Sequence, residues 1–268
     1  MIGLEIVEGR GDMESIEQLQ EQIKALQKSN VLWGKKWVAC GDSLTHGDFS
    51  GWKDENGLEK KESQVIYDKD WEMYKTYPWW IGKRNHMTII NEAKNGSTMA
   101  LTKQYLSKED GKDIDYRHPF SYKRYQEIPE DADYCTISFV GNDSACTELG
   151  TVDDTTNETF YGAWNMVLEW LLVNRPFVKF GIILMSSGKY EYREAVRVCA
   201  QKWGVPYLDI AKDCNAPIFR FREEELNLCE RAKEIYSERY IVCPENRHPN
   251  ETAHERLSYY IEQFLRGL

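Results

Sequence analysis

A serine, a histidine and a carboxylate together can attack a carbonyl, and this sequence of 268 residues carries a candidate set near its two ends. Ser43 stands in Gly41-Asp42-Ser43-Leu44, directly after a short apolar run at 36–40. A strand that runs into such a turn can present a hydroxyl at its tip, although the same string also suits a turn serine or a helix N-cap. The G-x-S-x-G elbow of the α/β-hydrolases is absent. Of the five histidines, His248 alone combines an acid shortly upstream, Glu245, with a loop position just before a helix, in Glu245-Asn246-Arg247-His248-Pro249-Asn250. Histidine titrates near neutral pH and is the side chain suited to take a serine proton. Paired, Ser43 and His248 would cleave an ester through an acyl-enzyme. His46 lies three residues after Ser43, His254 reads as a surface residue of the last helix, and His86 and His118 have no distinguishing context.

Positioning these groups requires strands that end where they begin. Apolar runs at 36–40, 87–90, 134–140, 180–185 and 206–210 predict five short strands. Between them lie amphipathic stretches. Thr155-Thr156-Asn157-Glu158 matches a capping box, followed by Phe160, Trp164, Val167, Leu168, Leu171 and Leu172 on one face and stopped by Pro176. Tyr192, Ala195, Val196, Cys199, Ala200 and Trp203 form a second face closed by Gly204, and a last helix starts near Asn250. Strands alternating with helices predict an α/β fold, a mainly parallel five-stranded sheet covered on both sides. In such sheets the active site lies beyond the carboxyl ends of the strands, where Ser43 and Asn142 would sit.

With these blocks in order, the chain resembles the SGNH (GDSL-type) serine hydrolases over about residues 36–268. Gly41-Asp42-Ser43-Leu44 matches the block that carries the nucleophile. Asn95-Gly96-Ser97 matches the block whose glycine N–H is used, although an ordinary Asn-Gly turn would look the same. Gly141-Asn142-Asp143 matches the block whose asparagine amide is a donor, and residues 245–250 match the histidine block. The resemblance implies a three-layer, flavodoxin-like sandwich and a serine esterase. Its oxyanion hole would be built from the N–H groups of Ser43 and Gly96 and the Asn142 amide, each donor worth about 3–4 kcal/mol in the transition state. It implies Ser43, His248 and Glu245 as catalytic residues. The sequence departs from the family here, which has aspartate three residues before the histidine. The longer Glu245 would either hold the imidazole, or a backbone carbonyl would, leaving a dyad.

The rest of the chain bounds the substrate. An excess of 44 Asp and Glu over 34 Lys and Arg gives a formal charge of −10, which disfavours nucleic acid and anionic membranes. Seven cysteines, at 40, 135, 146, 199, 214, 229 and 243, show no C-x-x-C spacing and read as reduced thiols, with neither a disulfide framework nor a metal site. No cofactor is expected. No signal peptide or membrane-spanning run is apparent, so a soluble cytoplasmic or virion-associated protein is expected. Residues 48–77 and 102–130 break the alternation and suit lids and substrate walls. In the first, Trp52, Trp71, Tyr74 and Tyr77 could stack on sugar rings, so deacetylation of an O-acetylated glycan is the favoured reaction. A short-chain lipase or thioesterase, or a catalytically weak glycan-binding or structural module, are the alternatives.

Ahead of the hydrolase domain, taken as 33–268, residues 1–12 read as a flexible lead and 13–32 as a short helix. In it Ile16, Leu19, Ile23 and Leu26 form a heptad seam, with Asn30 at an a-type position. Two readings stay open: an amphipathic helix lying on the domain, or the end of a stalk that joins copies of the chain. A heptad segment followed by a hydrolase domain also resembles modules of phage or prophage tail proteins.

Overall fold

The computed structural model describes residues 10–53, 66–102, 106–109, 112–115, 117–214 and 230–268. In chain order the strands are β1 (Lys36–Gly41), β2 (Tyr67–Asp68), β3 (Met73–Tyr74), β4 (Thr88–Asn91), β5 (Leu106–Glu109), β6 (Lys112–Asp115), β7 (Tyr134–Ser138), β8 (Lys179–Leu184) and β9 (Tyr207–Asp209). The helices are α1 (Arg10–Ser29), α2 (Ser43–His46), α3 (Tyr77–Asn85), α4 (Asp143–Cys146), α5 (Phe160–Asn174), α6 (Tyr190–Trp203), α7 (Ile210–Asp213), α8 (Glu230–Tyr240) and α9 (Glu251–Gly267). The five predicted strands form one parallel sheet in the order β4-β1-β7-β8-β9. The strand order reverses between β1 and β7, and the crevice beyond their carboxyl ends is where open α/β sheets bind ligands. Register brings Gly41 opposite Ser138, so both strands end on the same rung and release their loops side by side.

Each strand feeds both faces because successive side chains alternate. Val38, Cys40 and Ile137 pack with Trp164, Val167 and Leu171 of α5 and with Val196 and Cys199 of α6. Trp37, Ala39 and Ile183 pack with Ile81 of α3 and with Leu257 and Ile261 of α9. Full burial of such side chains is worth about 1.5–3 kcal/mol each, which fixes the register of the loops above. Trp37 is wholly buried and its indole N–H is satisfied by Thr136 Oγ1 at 3.0 Å.

Three expectations are corrected. The capping box at Thr155 and Glu158 does not form: Asp154 accepts from the hydroxyls of Thr151 and Thr159 at 2.7 Å each, closing a turn that delays the helix. Thr159 then caps α5, its Oγ1 accepting from the Gly162 N–H at 3.2 Å. Asn30 is no seam residue. Its side chain bonds Asn85 at 2.9 Å and receives Arg266 at 2.8 Å, which ties the end of α1 to α3 and α9. Of the expected flexible lead, residues 10–12 are helical, and 1–9 lie outside the described residues. Ile16, Leu19, Ile23 and Leu26 are 52–69% exposed, so the seam does not lie on the domain. The irregular insertions contain the two small antiparallel ribbons β2–β3 and β5–β6, and part of each insertion is outside the described residues.

Candidate active site

Ser43 opens α2 directly beyond β1. Asp42 caps that helix, its carboxylate accepting from the Leu44 N–H at 2.9 Å, and the Ser43 N–H at the first helical position has no preceding helix carbonyl. Burial pushes the Asp42 carboxyl up to about 7, against the pull of that hydrogen bond. Gly41 is required for packing: a Cβ there would lie 2.3 Å from Thr45 Oγ1 and 3.2 Å from the Ser138 carbonyl. With glycine at this point α2 folds back onto the strand and Ser43 faces the crevice.

The histidine arrives from the other end of the chain. His248 Nε2 lies 2.7 Å from Ser43 Oγ. The histidine is held by a turn in which Cys243 and Asn246 exchange backbone hydrogen bonds of 3.1 Å, and by Asn250, which caps α9. Its Nδ1 meets Asn246 Oδ1 at 2.5 Å, and its backbone N–H reaches the same oxygen at 3.2 Å. The opposite atom of that amide, Nδ2, faces the Asp48 and Ser50 oxygens. A reversed amide would set donors against donors, so Oδ1 accepts the Nδ1 proton and Nε2 is left with its lone pair toward Ser43. The pair is therefore arranged for general-base attack.

Glu245 does not fill the expected role. It is exposed, and the contact to Nδ1 comes from Asn246. The turn at 243–246 points the backbone inward at Asn246, two residues before the histidine, and leaves the residue at three before it facing solvent.

The second and third blocks are joined. Gly96 has φ +74°, a conformation that favours glycine, and the Asn142 amide donates to the Ser97 carbonyl at 2.9 Å, joining the second and third blocks. An amide carries two N–H bonds, and this contact uses one of them. Behind them stand two groups that motif reading passed over. Asp143 is buried and accepts from the N–H groups of Met99 and Ala100 at 2.8–3.0 Å; burial pushes its carboxyl up to about 7 against these bonds. Arg124, 7% exposed, donates to Ser97 Oγ and the His118 carbonyl at 2.7 Å each and to the Glu92 carbonyl. Burial lowers its pKa. An arginine inside a polar insertion gives no sequence signal, since its partners, Ser97 Oγ and two backbone carbonyls, are brought in by the fold.

The four candidate substrate aromatics separate. Tyr77 is corrected: it is fully buried, with its hydroxyl 2.8 Å from Thr45 Oγ1, and belongs to the core beneath α2. Trp71 packs against α3 at Gly82, under the Lys83 ammonium 4.6 Å from its ring. Tyr74 joins Phe49 and His46 in an aromatic cluster, at centroid distances of 5.4 and 5.9 Å. Trp52 is half-buried, stacks on Phe49 at 5.6 Å, and lines a cleft of about 630 Å³ with Gly51, Lys53, Val242, Cys243 and Arg247. His254 is corrected too: it is wholly buried between Phe49 and Tyr77. The six described cysteines are free thiols, and among the described residues no helix is long and apolar enough to cross a membrane.

No family model and no curated protein matches the sequence. Solved structures do. A Lactobacillus plantarum protein superposes with a TM-score of 0.60 at 22% identity, over 88% of this chain and 98% of its own. A protein named as a GDSL-like lipase from Bacteroides ovatus gives 0.56 at 17% identity, over 88% and 99%. A protein described as a possible lipase from Chitinophaga pinensis gives 0.54 at 15% identity, over 87% and 98%. The chain accordingly has the α/β fold found in proteins named as GDSL-like lipases.

Proposed function

We propose that this chain is a serine esterase of the SGNH type. The observation that carries the reading is the 2.7 Å contact between Ser43 Oγ and His248 Nε2 at the carboxyl ends of the central strands. In the reaction, Ser43 Oγ bonds to the ester carbonyl carbon while its proton passes to His248 Nε2. The carbonyl oxygen takes up negative charge, facing the N–H groups of Ser43 and Gly96 and the Asn142 amide. Collapse expels the alcohol, which takes the proton from His248, and leaves an acyl-serine. Water then attacks with His248 as base, releasing the acid and Ser43.

The favoured substrate is an O-acetylated glycan. Support comes from Trp52, whose ring could stack on a sugar at the rim of the cleft beside the histidine loop, with Lys53 and Arg247 as polar partners. The exposed seam of α1 supports attachment to a longer, tail-like assembly. A weakly catalytic glycan-binding module is the second reading; it is favoured by the neutral Asn246 where a carboxylate would stabilise the imidazolium better. Hydrolysis of p-nitrophenyl acetate by the protein and by Ser43→Ala separates the two. Turnover lost in the variant supports the esterase, and turnover that is absent or unchanged removes Ser43 from its role. Preference for long acyl chains over acetylated sugars would overturn the glycan assignment in favour of a lipase or thioesterase.

A further inference from the structure

A carboxylate on the loop after the nucleophile approaches the base through an intervening side chain. Asn246 Nδ2 donates to the Asp48 carboxylate and carbonyl at 3.2 Å each, to the Ser50 carbonyl at 2.9 Å and to Ser50 Oγ at 3.1 Å. Asp48 Oδ1 is itself fixed, accepting from the Ser50 hydroxyl at 2.6 Å and the Ser50 N–H at 3.1 Å. On the other side of the amide, Oδ1 holds both N–H groups of His248. The Asn246 side chain thus bridges an imidazole and a half-buried carboxylate, using its acceptor for one and its donor for the other.

Resting on the Ser43–His248 assignment above, we infer that the acid of this site has moved from the residue before the histidine to the loop after the nucleophile, so that Asn246 orients His248 and Asp48 supplies the charge through it. Both are positioning residues. When the serine proton reaches Nε2, the imidazolium keeps its Nδ1 proton on Asn246 Oδ1, and no proton passes to Asn246 or Asp48. The negative Asp48 polarises the amide toward the imidazolium and opposes its positive charge at one residue's remove. Burial pushes the Asp48 carboxyl up, but the Ser50 hydrogen bonds, the positive His248 and Asn246 together hold it below the ordinary value, which keeps it ionised in the neutral range. Three further titratable groups near His248 are described. His254, on α9, is buried and neutral, and Glu245 and Arg247, its neighbours in the loop, are exposed.

The test reads His248 directly, with or without turnover. Two-bond proton–nitrogen NMR spectra of the labelled protein, titrated with pH, report the His248 tautomer and pKa in the wild type, Asp48→Asn, Asn246→Asp and Glu245→Gln. The wild type is expected to hold the Nδ1–H tautomer. Asp48→Asn keeps the turn acceptor and is expected to lower the His248 pKa by about half a pH unit or more, Asn246→Asp to raise it, and Glu245→Gln to leave it in place. The acidic limb of kcat/KM for p-nitrophenyl acetate is expected to move in the same order. An Nε2–H tautomer, or a His248 pKa that responds to Glu245→Gln and not to Asp48→Asn, would overturn the inference. If no variant and not the wild type hydrolyses the ester, the esterase reading fails, while the NMR titration still decides the role of Asp48.

Discussion

His254 gives the sharpest stability prediction. The ring is wholly buried on α9 between Phe49 and Tyr77, and among the described residues neither ring nitrogen has a hydrogen-bond partner. Burial, with a smaller push from a positive His248, lowers its pKa from 6.5 to about 3. A depressed histidine value means that the unfolded chain binds a proton the native protein refuses. Stability from this group is therefore intact above pH 6.5 and falls as pH drops toward 3. At pH 4.5 the unfolded histidine is charged and the native one neutral, and two pH units of linkage amount to about 2.7 kcal/mol. The perturbation is His254→Leu, which keeps an apolar side chain in the site and abolishes the titration. The assay is urea unfolding of both proteins at pH 8, 6.5, 5.5 and 4.5. Relative to the variant, the wild type is expected to lose about 2.7 kcal/mol between pH 8 and 4.5, close to 1 M in urea midpoint. Asp42 and Asp143 titrate in both proteins. Their values near 7 lie above the unfolded ones, so their penalty is relieved as pH falls, and it cancels in the difference. A wild-type-to-variant difference that stays flat across the series would refute the buried neutral histidine.

Four further outcomes follow from the geometry. Arg124→Met removes the donors to Ser97 Oγ and two carbonyls; it is expected to cost about 2–4 kcal/mol of unfolding free energy and to lower kcat more than it raises KM, read by unfolding and steady-state kinetics. Gly41→Ala forces a Cβ onto Thr45 and is expected to cost about 1–3 kcal/mol and to displace α2, seen as lost turnover with the fold retained by circular dichroism. Asn142→Ala takes one donor from the oxyanion and is expected to lower kcat about 100-fold or more with little change in KM. The α1 seam is expected to pair with a second copy, so light scattering should show an oligomer that Ile16→Glu with Ile23→Glu dissociates; a monomeric wild type would refute this.

The five strands, their parallel pairing and the placing of Ser43 and Asn142 just beyond neighbouring strand ends were legible because apolar periodicity and Gly-containing turns are local signals. Boundaries shifted by a residue or two, as at β7, which ends at Ser138 and not at 140. The start of α5 was misread because Thr155 and Thr159 are equally good caps in sequence. The choice between them lies with Asp154, which gathers Thr151 and Thr159. The aromatics of the insertion were indistinguishable by composition, yet Tyr77 is core, Trp71 covers a helix, and only Trp52 of the four lines the cleft.

The amino-acid sequence by itself determined the fold class and singled out Ser43 and His248, which the fold brings within 2.7 Å of each other. Each is written in short strings whose chemistry follows from the residue types. Which side chain stands behind the histidine was decided only by tertiary structure. Counting three residues back leads to Glu245, but the turn at 243–246 exposes that side chain and brings Asn246 onto Nδ1, within reach of Asp48 about 200 positions earlier in the chain. Spacing along a chain sets direction only within regular elements. In a turn, direction depends on hydrogen bonds to distant loops, and those exist only once the sheet has brought its strand ends together.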